Sequence, residues 1–430
     1  MNKSFTFGCG QGATKAMIYC IENGTLDKSE CCVVNSTIKD IPEDYRDNCI
    51  IISEDPDAGC GKVRSAAKKL MLAYLRNNPN AIQAIIPDDV QYVNILTTTE
   101  GASGSGASVV LAKWIETQLD LPVVITLICG FESDTRGLQN TIEYFKDLEG
   151  GNYVVKTVSN KRFLEKTSNT FVAEKMANAD ISTGIKVVNA FDIVDSEQNI
   201  DDTDHYKLIT NPGLMFVTEV TFEKKFKNPN QFDQLVSDAI DYSSSLDFEP
   251  SATKIGVFMN ISDDNLATID TSFSAIKKKL CGNNTIDEFF VHRQYVASEP
   301  EFVRIIASGM NLPKEELQDM YVKYQKNLKS NTKNDDFFGA ISGMETVNQN
   351  TGVERKKDDS DFFSKFDAEE TSEEDDMVIR RSRKRRATGS SGTPDTKIDS
   401  NGGYEKKRSF TAKKTNSNET PYSEDVINKY

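Results

Sequence analysis

Two glycine-rich segments of this chain each follow a short β-rich run and precede a helix-length segment. The first covers residues 8–13, after the run 4–7, and the second covers residues 101–106, after the run 91–97. Glycine lets a backbone approach a phosphate closely, and the N-terminus of the next helix offers unpaired N–H groups. Two such loops on one sheet predict a phosphate site, although each alone is also typical of a tight turn.

Neither loop matches a standard nucleotide motif. The pattern Gly8-x-Gly10-x-Gly12 lacks the last glycine of the dinucleotide fingerprint and an acidic residue ~20 positions further on. No lysine follows the glycines of the second loop, and Gly61-Lys62 is followed by Val63 rather than Ser or Thr. The sequence therefore predicts phosphate binding without the lysine of a Walker loop.

The first half of the chain alternates β-rich runs with helix-length segments. This alternation predicts a parallel sheet covered by helices on both faces, with ligands bound at the carboxyl ends of its strands. The predicted strands are 4–8, 31–35, 48–53, 91–97 and 122–129, and the predicted helices are 13–23, 62–78, 107–118 and 136–148.

A long helix over 168–195 is expected to lead into a smaller α/β region. Strands are predicted there at 214–221, 254–260 and 288–297, with a closing helix at 314–328. Composition then changes near residue 331, where aliphatic residues become rare. Such a segment buries too little apolar surface to offset its ordering entropy, so residues 331–430 are expected to be a disordered charged tail.

Five segments follow one another along the chain: Gly-Gln-Gly at 10–12, Asn-Ser-Thr at 35–37, Gly-Cys-Gly-Lys at 59–62, Gly-Ala-Ser-Gly-Ser-Gly-Ala at 101–107 and Phe-Glu-Ser-Asp-Thr-Arg at 131–136. In this order they resemble the nucleotide loops of the tubulin/FtsZ superfamily, most nearly those of the TubZ-like proteins of phages and plasmids. The resemblance spans about residues 1–330 and implies an α/β tubulin/FtsZ-like fold. Its parts would be a Rossmann-type parallel-sheet GTP-binding domain (1–165), a long central helix (166–198), a smaller α/β C-terminal activation domain (199–330) and the tail (331–430). The residues that would hold nucleotide are Gly10, Gln11, Gly12, Asn35, Gly59, Gly61, Gly101, Ala102, Ser103, Gly104, Ser105, Gly106, Glu132, Arg136, Asn160 and Asn169.

The resemblance also implies individual roles, with GTP or GDP and Mg²⁺ as cofactors. Glu132 would hold the ribose, Arg136 the sugar or base, and Asn160 would lie near both. Asn169 would pair with guanine, because an amide offers both a donor and an acceptor. A helix cap is the simpler interpretation of Asn169.

In this superfamily the hydrolysis site is shared between subunits, and the next subunit inserts a loop that carries acids. The segment Asn199-Ile200-Asp201-Asp202-Thr203-Asp204 is similar to that loop. Asn199, Asp201 and Asp204 are therefore the candidate catalytic residues, with the carboxylates positioning the attacking water. A solvated acidic turn that caps the next helix is the alternative. The segment 211–215 is similar to the chain that leads into this loop, but the residues that follow it, 216–218, lack the acids.

Composition narrows the class of protein. The chain has 430 residues and a formal net charge of −15, which argues against coating nucleic acid or an anionic membrane with its whole surface. The longest apolar run, 121–131, is shorter than the ~20 residues of a membrane span, and no signal peptide is expected. Eight cysteines without Cys-x-x-Cys spacing and two histidines argue against zinc. A cytoplasmic location, in a bacterium or a phage-infected host, with reduced thiols is expected.

The tail carries two kinds of interaction motif. Acids stand beside paired aromatics at 335–338 and 361–366, which is typical of docking peptides. Aromatic residues without a partner are the alternative. A basic cluster runs from Arg380 to Arg386. It predicts binding to a DNA-binding adaptor protein or directly to DNA, with a solvated charge run as the alternative.

The sequence as a whole predicts a tubulin-like GTPase that polymerises with itself and moves or positions phage or plasmid DNA. Three alternatives stay open. They are an FtsZ-like division scaffold, a GTP-binding scaffold without hydrolysis, and a nicotinamide-dependent Rossmann enzyme. The last would need a catalytic His or Lys in the second half, where His292 has no supporting motif.

Overall fold

The computed structural model describes residues 2–189 and 199–342, with side chains up to residue 328 in the second segment. All described residues belong to one compact unit, Met1–Lys365. Within them, no helix is both long enough and apolar enough to span a bilayer.

Ten strands of the described residues form a single sheet in the order β3-β2-β1-β4-β5-β6-β7-β10-β8-β9. Pairing is parallel from β3 through β7 and between β8 and β9, whereas β10 is antiparallel to both of its neighbours. The strands are β1 Ser4–Cys9, β2 Cys31–Asn35, β3 Cys49–Ile51, β4 Tyr92–Thr98, β5 Val123–Cys129, β6 Val154–Ser159, β7 Gly213–Phe222, β8 Lys254–Asn260, β9 Glu288–Gln294 and β10 Glu301–Met310.

The α-helices connect these strands and cover the sheet. They are α1 Gln11–Glu22, α2 Arg64–Asn77, α3 Ala81–Ile85, α4 Ala102–Trp114, α5 Thr135–Leu148, α6 Asn160–Thr167, α7 Thr170–Asn189, α8 Asp202–Ile209, α9 Pro229–Asp241, α10 Asp263–Leu266, α11 Ser274–Cys281 and α12 Lys314–Ser342. Every residue of β1, β2, β5 and β6 is buried, as expected for parallel strands with both faces covered. The predicted α/β class with a mostly parallel sheet is confirmed.

Strands β6 and β10 were not predicted from the sequence, because buried charged residues interrupt their apolar runs. Lys156 lies in the middle of β6 and is buried. Arg304 lies in β10, is 2% exposed and forms an ion pair with Glu219 of β7. Charged residues are rarely buried without a partner, so the pattern at both places was typical of a surface segment.

The two helices nearest the glycine loops also begin earlier than predicted. The second glycine loop was expected to end before a helix at residue 107, but α4 begins at Ala102 and includes Gly104 and Gly106. Glycine is a poor helix former, which is why the sequence favoured a loop. Close packing overrides that preference, because a Cβ at Gly106 would lie 2.5 Å from the Arg64 carbonyl oxygen. The predicted helix 168–195 is present as α7, and its last part, 190–195, lies outside the described residues.

Candidate functional site

The first six strands have the order β3-β2-β1-β4-β5-β6, which reverses direction between β1 and β4. In open α/β sheets, ligands bind in the crevice beyond the carboxyl ends of the strands at this switch point. The two glycine loops stand there, because α1 follows β1 directly and α4 follows β4.

The two loops touch each other through their glycines. Gly10 has a φ of 81° and donates its N–H to the Val34 carbonyl at 2.8 Å. A Cβ at Gly10 would lie 2.8 Å from the Gly104 backbone, and a Cβ at Gly104 would overlap the Cys9 carbonyl oxygen. Only glycine at both positions allows the N-termini of α1 and α4 to meet, which concentrates their unpaired N–H groups in one place.

Polar side chains surround this meeting point. The Ser36 and Ser103 hydroxyl oxygens lie 2.7 Å apart. Asn35, at the end of β2, accepts a hydrogen bond from the Ser36 N–H at 2.8 Å, while its buried Nδ2 has no hydrogen-bond partner among the described residues. An unpaired buried donor is costly unless a ligand satisfies it, so these residues fit an anionic ligand such as a phosphate.

The remaining residues of the two loops support this arrangement. A Cβ at Gly12 would lie 2.7 Å from the Thr98 methyl carbon. Gln11 is exposed and donates to Asp40 at 3.3 Å. Gly101 caps α4, and its carbonyl accepts from the Ser105 hydroxyl, while Ala102 is buried within the first turn.

The loop of residues 59–62 contacts the segment 131–136. Gly59 lies in open space, and Gly61 and Lys62 have left-handed backbones with φ of 57° and 62°. Lys62 forms an ion pair with Asp134 at 2.8 Å, and this hydrogen-bonded ammonium lowers the pKa of the Asp134 carboxyl. Arg136 donates to the Lys62 carbonyl at 3.2 Å. The predicted ligand Arg136, in the first turn of α5, therefore contacts the loop that carries the predicted ligand Gly61.

Glu132 is held from three sides by residues that the sequence analysis missed. Its carboxylate accepts from Lys161 at 3.1 Å and from Lys323 of α12 at 3.0 Å, and Lys323 also donates to its carbonyl at 2.9 Å. The Glu132 N–H donates to the Glu100 carboxylate at 2.7 Å, and burial raises the pKa of Glu100. These contacts fix a left-handed backbone, with φ of 54°, at the residue predicted to hold the ribose.

Asn160 and Asn169 differ in the hydrogen bonds that their side-chain oxygens accept. Asn160 begins α6, and its buried Oδ1 has no hydrogen-bond partner among the described residues. The Asn169 Oδ1 accepts from the N–H groups of Phe171 and Val172 at 3.0 and 3.3 Å. Asn169 therefore caps α7 in this structure, and its pairing with guanine stays a prediction.

The acidic segment forms the start of α8. Asp201 is the N-cap, and its carboxylate accepts from the Asp204 N–H at 2.8 Å. The Asp204 carboxylate accepts from Lys207 at 3.1 Å. Asn199 and Asp201 are exposed. Asp201 thus caps α8, as the alternative interpretation predicted. The segment is nevertheless exposed, so a second molecule can contact it.

The structure places this acidic segment far from the glycine loops. The Asn2 amide donates to the Asp202 carbonyl at 3.0 Å and lies 3.0 Å from His205 Nδ1. Asn2 precedes β1, whereas Gly10 follows it. Eight residues of extended strand span roughly 25 Å at ~3.3 Å per residue. One chain therefore carries the loops and the acids at opposite ends of its sheet.

The sequence matches no protein-family model and no curated protein. Solved structures do match the fold. Phage c-st TubZ of Clostridium botulinum has a TM-score of 0.59 and 14% identity over 76% of this chain and 99% of that chain. CetZ2 of Haloferax volcanii, solved as a GTPγS-bound protofilament, has a TM-score of 0.61 and 15% identity over 76% of this chain and 99% of that chain. TubZ of Bacillus thuringiensis serovar israelensis, solved as a GTPγS-form protofilament, has a TM-score of 0.56 and 15% identity over 78% of this chain and 94% of that chain.

The sheet order and the paired glycine loops define a Rossmann-type α/β protein with a site at its switch point. The structural matches define the fold more narrowly. The chain has the fold of the tubulin/FtsZ superfamily, which is the fold of the matched TubZ and CetZ structures.

Proposed function

We propose that this protein is a GTPase that binds GTP and GDP at its glycine loops and assembles head to tail into filaments. Asp201 and Asp204 of one copy complete the site formed by the loops of the next copy. The observation that carries the proposal is the placement of the loops and the acids at opposite ends of one sheet. A single chain cannot bring them together.

Stacking one end on the other end of a second copy would bring both halves together. Such a contact is heterologous, and when it does not close into a ring it produces a filament. The protofilaments solved for CetZ2 and for the Bacillus thuringiensis TubZ are consistent with this assembly.

In this account each half has its own chemistry. The N–H groups at the starts of α1 and α4, with the Asn35 amide, hold the phosphates. The carboxylates of Asp201 and Asp204, beside Asn199, orient and polarise the attacking water.

Mg²⁺ would offset the phosphate charge. No cluster of three or more His, Cys, Asp or Glu side chains suited to a metal occurs among the described residues. That is compatible with Mg²⁺, which commonly takes its ligands from phosphates and water with only one or two protein groups.

The proposal includes a cellular role for the filaments. Filaments in the cytoplasm of a bacterium or an infected host would move or position phage or plasmid DNA. The basic cluster Arg380 to Arg386, which lies outside the described residues, would engage a DNA-binding adaptor protein. An FtsZ-like division scaffold shares the fold and is distinguished by its partner.

The experiment is light scattering and negative-stain microscopy with GTP, GDP and GTPγS, alongside Asp201→Asn. Asparagine caps a helix as well as aspartate does, so this variant removes the carboxylate and keeps α8 intact. We expect transient filaments with GTP, persistent ones with GTPγS or the variant, and a loss of about 10²-fold or more in GTP turnover. Asp270→Asn is the control, because Asp270 caps a distant turn. No GTP binding and no polymer would overturn the proposal.

A further inference from the structure

A groove of about 470 Å³ lies between α2 and α4, away from the glycine loops. The two helices are in close contact near their starts, where Gly106 of α4 meets the Arg64 carbonyl and Ala67. The groove runs along their later turns, from Lys68 to Arg76 on α2 and past Trp114 on α4. Its volume is within the range of ~300–1,000 Å³ that holds ligands in proteins.

The floor of the groove is apolar. Leu72 is 43% exposed, and it lines the groove with Leu75, Val109 and the half-buried Trp114. Binding of an apolar side chain over this floor is favourable, because it removes apolar surface from water.

The rim is cationic in a chain whose net charge is −15. Lys68, Arg76 and Lys113 line the groove together with Asp147. Asp147 pairs with the buried Arg64 and with Lys68, and Lys113 pairs with Glu116 at 2.9 Å. Four cations thus stand against two carboxylates at this rim. An occupant with acids beside aromatic or aliphatic side chains would match both the floor and the rim.

We propose that residues 358–365 of this chain dock in its own α2–α4 groove. The segment reads Asp-Asp-Ser-Asp-Phe-Phe-Ser-Lys, so three acids precede the adjacent aromatics Phe362 and Phe363. The rings would cover Leu72 and Trp114 while the acids meet the cationic rim. The similar motif at 335–338 is a poorer occupant, because its backbone is part of α12.

Fifteen residues, 343–357, connect α12 to the segment. α12 packs against α5, the helix that supplies Asp147 to the groove. The sixteen steps from Ser342 to Asp358 span up to roughly 50 Å in an extended chain. The proposal does not depend on the GTPase, since no residue of the groove belongs to the nucleotide loops or the acidic segment.

Trp114 is the only tryptophan of the chain, so its fluorescence reports on the groove directly. We would measure acrylamide quenching and the emission maximum of the full chain and of Phe362→Ser/Phe363→Ser, without nucleotide. We expect the variant to show stronger quenching and emission at longer wavelength, because Trp114 loses its cover. High salt should move the wild-type chain in the same direction, since it screens the rim charges.

The matched control is Phe337→Ser/Phe338→Ser, which removes the other aromatic pair of the same region. It should leave Trp114 unchanged. A photo-crosslinking amino acid at position 362 gives a second reading that does not depend on folding of a variant. Crosslinks to α2 or α4 within one molecule would support the proposal. Equal quenching in all variants, or crosslinks only between copies with a signal that rises with concentration, would overturn it.

Discussion

Gly104 is the residue on which the geometry of the candidate site depends most directly. A Cβ there would overlap the Cys9 carbonyl oxygen, so Gly104→Ala should force the N-termini of α1 and α4 apart. We expect GTP affinity to fall by about tenfold or more, which corresponds to about 1.4 kcal/mol. Titration with a fluorescent GTP analogue measures this.

Gly24→Asn is the matched control for that substitution. Gly24 has a φ of 72° and no atom within 4 Å of its would-be Cβ, and asparagine tolerates this backbone. It should bind nucleotide as the wild type does. Normal affinity in a folded Gly104→Ala variant would mean that the meeting of the two loops does not form the phosphate site.

The residues that could be predicted from the sequence are those whose chemistry is local. Glycines in a loop and acids at a helix start, such as Gly10 and Asp201, are visible in a short window. Glu100, Lys161 and Lys323 were missed because their contacts with Glu132 join residues 32, 29 and 191 positions apart. No spacing rule connects them, and only the folded chain brings them together.

At the scale of elements, the packing of α7 on β6 depends on a glycine and a buried lysine. Lys156 is fully buried, its Nζ has no hydrogen-bond partner among the described residues, and burial lowers its pKa. The Lys156 Nζ atom occupies the place of a Cβ at Gly184. We expect Gly184→Ala to destabilise the protein by about 1–3 kcal/mol through overpacking. Urea denaturation measures this.

Helix propensity alone predicts the opposite sign for that change, a gain of about 1 kcal/mol when alanine replaces glycine inside a helix. Lys156→Met in the Gly184→Ala background should recover part of the loss, because the flexible methionine can make room. Thr183→Ala, one residue away on α7, serves as the control. A Gly184→Ala variant as stable as the wild type would contradict this packing.

Elements with regular apolar patterns were predictable, and those that carry buried charge were not. β2 and β8 have the predicted bounds, 31–35 and 254–260. β6 and β10 were missed because Lys156 and Arg304 are buried within them. The start of α4 was misplaced because its glycines serve contacts with β1 and α2 rather than a loop.

At the scale of the whole molecule, one sheet joins the end that carries the glycine loops to an acidic end. β1 alone spans most of the distance, from Asn2 beside the acidic segment to Gly10 in the first loop. The chain therefore has two chemically different ends. We propose that these ends form one hydrolysis site between copies.

Mixing two variants, each defective at one end, tests that claim most directly. Gly104→Ala should bind GTP about tenfold or more weakly, and Asp201→Asn/Asp204→Asn should bind GTP but not hydrolyse it. At GTP concentrations well below the dissociation constant of Gly104→Ala, neither variant alone should exceed about a tenth of wild-type turnover. An equal mixture should regain up to about a quarter of wild-type turnover, because random pairing joins two intact halves in one contact in four. Wild-type turnover by the double Asp→Asn variant alone, or a folded mixture no more active than its parents, would contradict the account.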